Sequence, residues 1–245
     1  NFAKTAAEYF LNAKNDASVG FFSLEMSVDQ LTDRLLAMES GVDVSFLRSG
    51  KTVSTSDYEA LRVASEKLSK LPFIVDDTAG GSIATIKSKA VRLKRLYNIG
   101  ILFVDYLQLL HGSRSRENRV QEISEISQGL KAIAKELNIP VIALSQLSRE
   151  VEKRDNKKPQ LSDLRESGSI EQDADIVMFL YREAYYLKNK GAPDMGTEEY
   201  ERWRTRFKAV MNKAELAIAK HRHGPTGVVN LHYNDKVSKF GNLMG

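Results

Sequence analysis

Short uninterrupted runs of Val, Ile, Leu, Phe and Ala recur along this chain. Most are separated by longer stretches whose apolar residues repeat with helical spacing. The runs fall at residues 19–24, 72–76, 101–105, 140–145, 176–181 and 216–220, and the helical stretches at 27–38, 56–70, 82–97 and 120–137. A strand apolar along its whole length has to be covered on both faces, and parallel neighbours need a long crossover, which a helix supplies. The pattern therefore predicts an α/β fold, a mostly parallel sheet flanked by helices. Residues 2–13 predict a further helix, with Phe2, Ala6, Tyr9, Phe10 and Ala13 on one face. Residues 228–232 predict a strand returning across Gly224-Pro-Thr-Gly227, a C-terminal β-hairpin extension.

At 245 residues, 42% of them hydrophobic, the chain is long enough to bury a core, and residues 1–245 are read as one domain. It contains no Cys, which excludes disulfides and thiolate metal clusters. Its apolar runs fall far short of the roughly 20 residues that span a bilayer. The opening residues lack the pattern of a signal peptide. A cytoplasmic location without a membrane partner is expected. Lys and Arg number 36 against 32 Asp and Glu, a net +4, so affinity for nucleic acid has to come from local patches. Residues 183–214 interrupt the pattern as a polar, Tyr-rich insertion. Within it Tyr200, Trp203, Phe207 and Met211 have helical spacing, fitting a helix packed on the body or one that docks a partner. The first helix has no strand before it, so the chain is expected to begin in mid-domain.

Three apolar runs end in polar residues of distinct chemistry. Ile101-Leu-Phe-Val-Asp105 puts a carboxylate at the carboxyl edge of the sheet, where ligands of such folds bind. A carboxylate there serves a nucleotide-bound Mg²⁺, or simply caps a turn. Tyr106 follows it, so a general base has to come from another strand end, and Glu25 in Phe21-Phe-Ser-Leu-Glu25 is the candidate. Val141-Ile-Ala-Leu-Ser-Gln146 ends in an amide that can donate to a γ-phosphate. Each is ordinary alone; together they form a constellation. A G-x-x-x-x-G-K-[ST] phosphate loop is missing: Gly50-Lys51-Thr52 is a decoy, because Ser45 stands where the first glycine belongs.

Residues 146–159, with Arg149, Lys153, Arg154, Lys157 and Lys158, read as a mobile basic loop. Residues 111–119, with Arg114 and Arg116, read as a second. Both fit phosphate-backbone contacts, but each taken alone reads first as a solvated charge run. Lys220 and Arg222, one residue apart on a strand, share a face and suit a γ-phosphate. His221 and His223 lack a third ligand nearby.

Five segments carry a family resemblance: Phe22-Ser-Leu-Glu-Met-Ser27, Leu102-Phe-Val-Asp-Tyr-Leu-Gln108, Ala143-Leu-Ser-Gln-Leu-Ser-Arg149, the stretch 162–175 containing Ser162-Asp-Leu-Arg-Glu-Ser-Gly168, and Ala219-Lys-His-Arg-His-Gly-Pro225. In this order they resemble the motor domain of the DnaB-type bacterial replicative DNA helicases, from about residue 2 to 243. The resemblance implies a RecA-like ATPase that uses ATP and Mg²⁺ and assembles as a homo-hexamer. Such a ring would encircle single-stranded DNA and move 5′→3′, with primase and a helicase loader as partners. It implies Glu25 as the catalytic glutamate, Asp105 at the Mg²⁺ site and Gln146 as the γ-phosphate sensor. Arg165, Glu166 and Gly168 match the loop that follows the DNA backbone, and Lys220 and Arg222 the pair that reaches a neighbour's nucleotide. Tyr181 and Arg182 are assigned to the nucleotide, and Arg149, Arg114 and Arg116 to DNA. The family's phosphate loop is expected just upstream of Asn1, so this polypeptide alone is expected to hydrolyse little ATP. Two other readings stay open: another RecA-like ATPase of recombinase or clock type, and a non-catalytic assembly module, which the missing phosphate loop favours.

Overall fold

The computed structural model describes residues 1–49, 54–112 and 119–243, of which 48, 49 and 165–167 are described by their backbone. Helix α1 (Phe2–Asn12) leads into β1 (Ser18–Ser23). Helices α2 (Val28–Ser40), α3 (Val44–Ser49) and α4 (Thr55–Leu68) then precede β2 (Phe73–Asp76). Helix α5 (Ile83–Tyr97) crosses to β3 (Ile99–Asp105), and α6 (Arg119–Leu137) to β4 (Val141–Ala143). These four strands form a parallel sheet in the order β2-β1-β3-β4.

The helix starts follow from their caps. Ser27 Oγ accepts from Gln30 N, Ser54 and Asp57 close a capping box, and Ser82 caps α5 through Thr85 N. On one face of the sheet, Ile86, Ile123, Ile126 and Ile133 of α5 and α6 bury Phe22, Leu102 and Val104. On the other, Ala3 and Ala7 of α1 cover Val19 and Phe103. Helices α5 and α6 meet at Gly129, where an added Cβ would lie 2.2 Å from Ile83 Cγ1. Beneath α1 runs a network of four charges: Lys4 pairs with Glu8 and Glu39 at 2.7 Å each, and Lys67 reaches both carboxylates from α4.

The second half begins with a 3-10 segment (Leu161–Ser167) and α7 (Gly168–Asp173). Strand β5 (Ile176–Tyr181), helices α8 (Glu183–Lys190) and α9 (Glu198–Val210), and strands β6 (Lys213–His221), β7 (Gly227–Asn234) and β8 (Lys239–Asn242) follow. Its four strands form a separate antiparallel sheet in the order β5-β6-β7-β8. The runs 176–181 and 216–220 are strands, as read from the sequence, yet they pair antiparallel with each other rather than joining the parallel sheet. Val177 and Phe179 are buried, while Ile176, Met178 and Leu180 remain 44–47% exposed. An apolar run fixes extended backbone, but what covers each face depends on distant segments. The expected hairpin extension is the β6–β7 pair, and β8 adds a further strand.

In the insertion, α9 folds back onto α8. Trp203 Nε1 donates to Leu187 O at 3.3 Å, and Tyr200, Trp203 and Phe207 stack with ring centroids 6.0 and 5.2 Å apart. No described helix is long and apolar enough to cross a membrane.

Candidate active site

Strands β1 and β3 lie side by side with Ser23 opposite Asp105, so both leave the sheet at one edge. Leu24 N donates to Asp105 O at 2.8 Å, and Glu25 follows immediately, exposed. The short loop that carries Glu25 is fixed on all sides. Buried Ser23 donates Oγ–H to Met26 O at 2.6 Å, Ser27 caps α2, and Asp77 Oδ2 accepts from Val28 N at 2.8 Å. Asp77, beyond the end of β2, was not singled out from the sequence, where a second Asp after a strand looks like a turn residue.

The Asp105 side chain is half-buried. Burial pushes its carboxyl above the ordinary range, the nearby Glu25 charge pushes it further, and Arg34 offsets part of the rise. Among the described residues neither the Asp105 nor the Glu25 carboxylate is taken up by a hydrogen bond or an ion pair. Described His, Asp and Glu residues form no group of three or more that would cage a metal ion. One or two carboxylates at a strand end suit Mg²⁺, which keeps waters and takes its other ligands from nucleotide phosphates. The residues present thus fit the group.

The third strand end joins through β4, which pairs with β3 by Val104 opposite Ala143. Leu144 N donates to Val104 O at 2.9 Å and Leu107 N to Leu144 O at 3.0 Å, carrying the ladder past the end of β4. Gln146 emerges here, exposed, on the strand next to the one bearing Asp105. The fold therefore brings Glu25, Asp105 and Gln146 to neighbouring strand ends.

The remaining candidates lie elsewhere. Lys220, on β6, donates to Glu171 O at 2.5 Å and Gln172 O at 3.4 Å, capping the end of α7. Arg222 pairs with Asp175 at 3.4 Å, and Asp175 also binds Lys131 of α6. Neither cation contacts Glu25, Asp105 or Gln146 in this chain. Tyr181 stacks on Tyr186 at 5.6 Å beneath Lys158. Arg182 binds Asp235 at 2.9 Å and covers the Tyr233 ring at 3.6 Å.

The run 146–159 departs from a mobile basic loop. Lys153 pairs with Glu150, Arg154 with buried Asp163, and Lys158 with Glu215, while Val151 is buried. Arg149, at the start of a 3-10 turn (Arg149–Lys153), is exposed with no side-chain partner among the described residues. Arg165 and Glu166 fall in the 3-10 segment that ends at Gly168, which opens α7 with ordinary helical φ and nothing within 4 Å of an added Cβ. Arg114, Arg116 and Gly50-Lys51-Thr52 lie outside the described residues.

A parallel sheet with helices on both faces and three polar side chains at its carboxyl edge defines a RecA-like α/β domain. The model of the DnaB-like helicase C terminal domain matches residues 1–242. The replicative DNA helicase DnaB of Rickettsia prowazekii is 59% identical over 226 residues, covering 92% of this chain and 46% of that protein. The replicative DNA helicase DnaC of Bacillus subtilis is 47% identical over 231 residues, covering 94% and 47%. Among solved structures, one of an ATPase domain superposes with a TM-score of 0.82 at 38% identity, covering 99% of this chain and 78% of that one. A DnaB-like replicative helicase, described with its interactions with primase, gives 0.82 at 37%, covering 99% and 53%. The chain belongs to the DnaB-like helicase C-terminal domain family. It spans about half the length of the curated relatives it matches.

Proposed function

We propose that this chain is the motor portion of a replicative DNA helicase. It hydrolyses ATP to drive a hexameric ring 5′→3′ along single-stranded DNA in the cytoplasm, with primase and a loader as partners. The convergence of Glu25, Asp105 and Gln146 on adjacent strand ends carries the reading, and the names of its relatives support the polymer. In this site Glu25 orients the attacking water and takes its proton as the γ-phosphate is transferred. Asp105, ionised, would hold a Mg²⁺ ion, which would supply positive charge against that of the nucleotide phosphates. Gln146 donates to the γ-phosphate. Lys220 and Arg222 reach a nucleotide across a subunit boundary, the role that the family resemblance gives them.

Two observations favour a domain completed by a strand and phosphate loop that these 245 residues do not carry. The sequence contains no G-x-x-x-x-G-K-[ST] segment. Strands β4 and β5 are end strands of their sheets, each with an unpaired outer edge among the described residues. The 3-10 segment with Arg165 and Glu166, the open Gly168 and the unpartnered Arg149 supply the DNA contacts. Strand separation on forked duplexes with a single 5′ or 3′ tail tests the reading, using the intact gene product. ATP-dependent unwinding is expected with the 5′ tail alone; unwinding only from a 3′ tail, or none on either fork, overturns it.

A further inference from the structure

Beyond β4, where the strand ladder ends, one side chain takes over the work of a neighbouring strand. Gln108 lies in the 3-10 turn Leu107–Leu109 that follows Asp105. Its Oε1 accepts from Gln146 N at 3.2 Å, and its Nε2 donates to Gln146 O at 3.2 Å and Ser145 Oγ at 2.9 Å. A backbone N–H only donates, so the contact with Gln146 N fixes which way the amide faces. The primary amide thus pairs with both backbone groups of Gln146 as an adjacent strand would.

The loop is also held from the other side, where Ser148 N donates to Asp163 O at 3.0 Å in the segment leading to Arg165. Gln108's own carbonyl accepts from Arg119 Nη2 at the start of α6. The Gln146 side chain itself makes no hydrogen bond among the described residues and is free to meet a ligand. Its position is set through its backbone.

We infer that Gln108 is a positioning residue: its amide clamp registers Gln146 against the strand that carries Asp105, so that the two move as a unit around the γ-phosphate. The inference rests on the proposed role of Gln146. Leu has nearly the volume of Gln and none of its hydrogen-bonding groups, so Gln108→Leu removes the clamp while keeping the bulk.

The test compares Gln108→Leu, Gln146→Ala and the double variant in the intact gene product, measuring kcat and KM for ATP on single-stranded DNA and the thermal midpoint. Gln108→Leu is expected to lower kcat about tenfold, the scale of one or two neutral hydrogen bonds, with KM and the midpoint little changed. The double variant is expected to be no slower than Gln146→Ala, because a clamp has nothing to place once its cargo is gone. Independent, multiplying losses would make Gln108 merely structural and overturn the inference, as would a normal rate for Gln108→Leu beside a slow Gln146→Ala. A normal rate for Gln146→Ala would remove the sensor reading itself, and the clamp with it. Should Gln108→Leu fold poorly, Gln108→Glu carries the same cycle. It keeps the acceptor for Gln146 N–H but loses the donor, so a loss of kcat confined to the Gln146 background is again expected, and a multiplying loss again overturns.

Discussion

In the parallel sheet, β1 and β3 are enclosed by α5 and α6 on one side and α1 on the other, and Val19, Leu102 and Val104 have no exposed surface. In the antiparallel sheet, β5 hides Val177 and Phe179 but leaves every second side chain open. Both are built from similar apolar runs. The enclosed sheet brings Glu25, Asp105 and Gln146 to neighbouring strand ends, as their proposed chemistry on one phosphate requires. The half-covered sheet carries Lys220 and Arg222, whose proposed target lies on another subunit. The side chains proposed to act together stand on the more enclosed half.

The largest effect expected from this division is chemical. Glu25→Gln should slow ATP turnover by about 10²–10⁴-fold, the usual contribution of a positioned general base, without lowering the thermal midpoint. Packing should separate the two halves next. Ile126→Ala, in the enclosed core, should cost about 2–5 kcal/mol in denaturant unfolding. Met178→Ala, on the open face of β5, should stay within about 0.5 kcal/mol. Equal losses at the two sites would erase the contrast.

Lys4→Ala should cost about 3 kcal/mol, because it leaves Glu39 largely buried with only Lys67 to balance it. Burial pushes the Glu8 and Glu39 carboxyls up, but hydrogen bonds and charge from Lys4 and Lys67 outweigh it and hold both below the ordinary range. Their folded pKa values are lower than their unfolded ones. This stabilisation is therefore complete above about pH 4.3 and lost as pH falls through the folded values. Lys4→Ala should flatten that acid limb of the stability profile.

The smallest effect has the opposite sign. Asp105 is pushed up by burial and by Glu25, so the folded state binds its proton more tightly than the unfolded one, and stability falls as pH rises through that window. Asp105→Asn should raise the thermal midpoint at neutral pH slightly. A lower midpoint would contradict the electrostatic reading of the site.

The enclosed half was the more legible in the sequence, and physics explains why. Its strands are apolar on both faces and three of its helices begin at serines, Ser27, Ser54 and Ser82, although the sequence pattern placed the second start at Ser56. The strand-end position of Asp105 followed directly, and Glu25 and Gln146 followed from the same rule. For 176–181 and 216–220 the composition was nearly the same, but direction is set by partners far along the chain, which no local pattern encodes. The tethering of Arg154 and Lys158 was hidden for a similar reason, since Asp163 and Glu215 lie beyond the run that they neutralise. Gln108 stood inside a quoted motif, yet an amide's role depends on which backbone it meets.

The most direct test of the motor reading is steady-state ATP hydrolysis by the intact gene product, with and without single-stranded DNA, for the natural sequence and for Glu25→Gln. Turnover should rise when the strand is added and collapse in the variant. Hydrolysis that is indifferent to DNA, or that survives Glu25→Gln, would contradict the account.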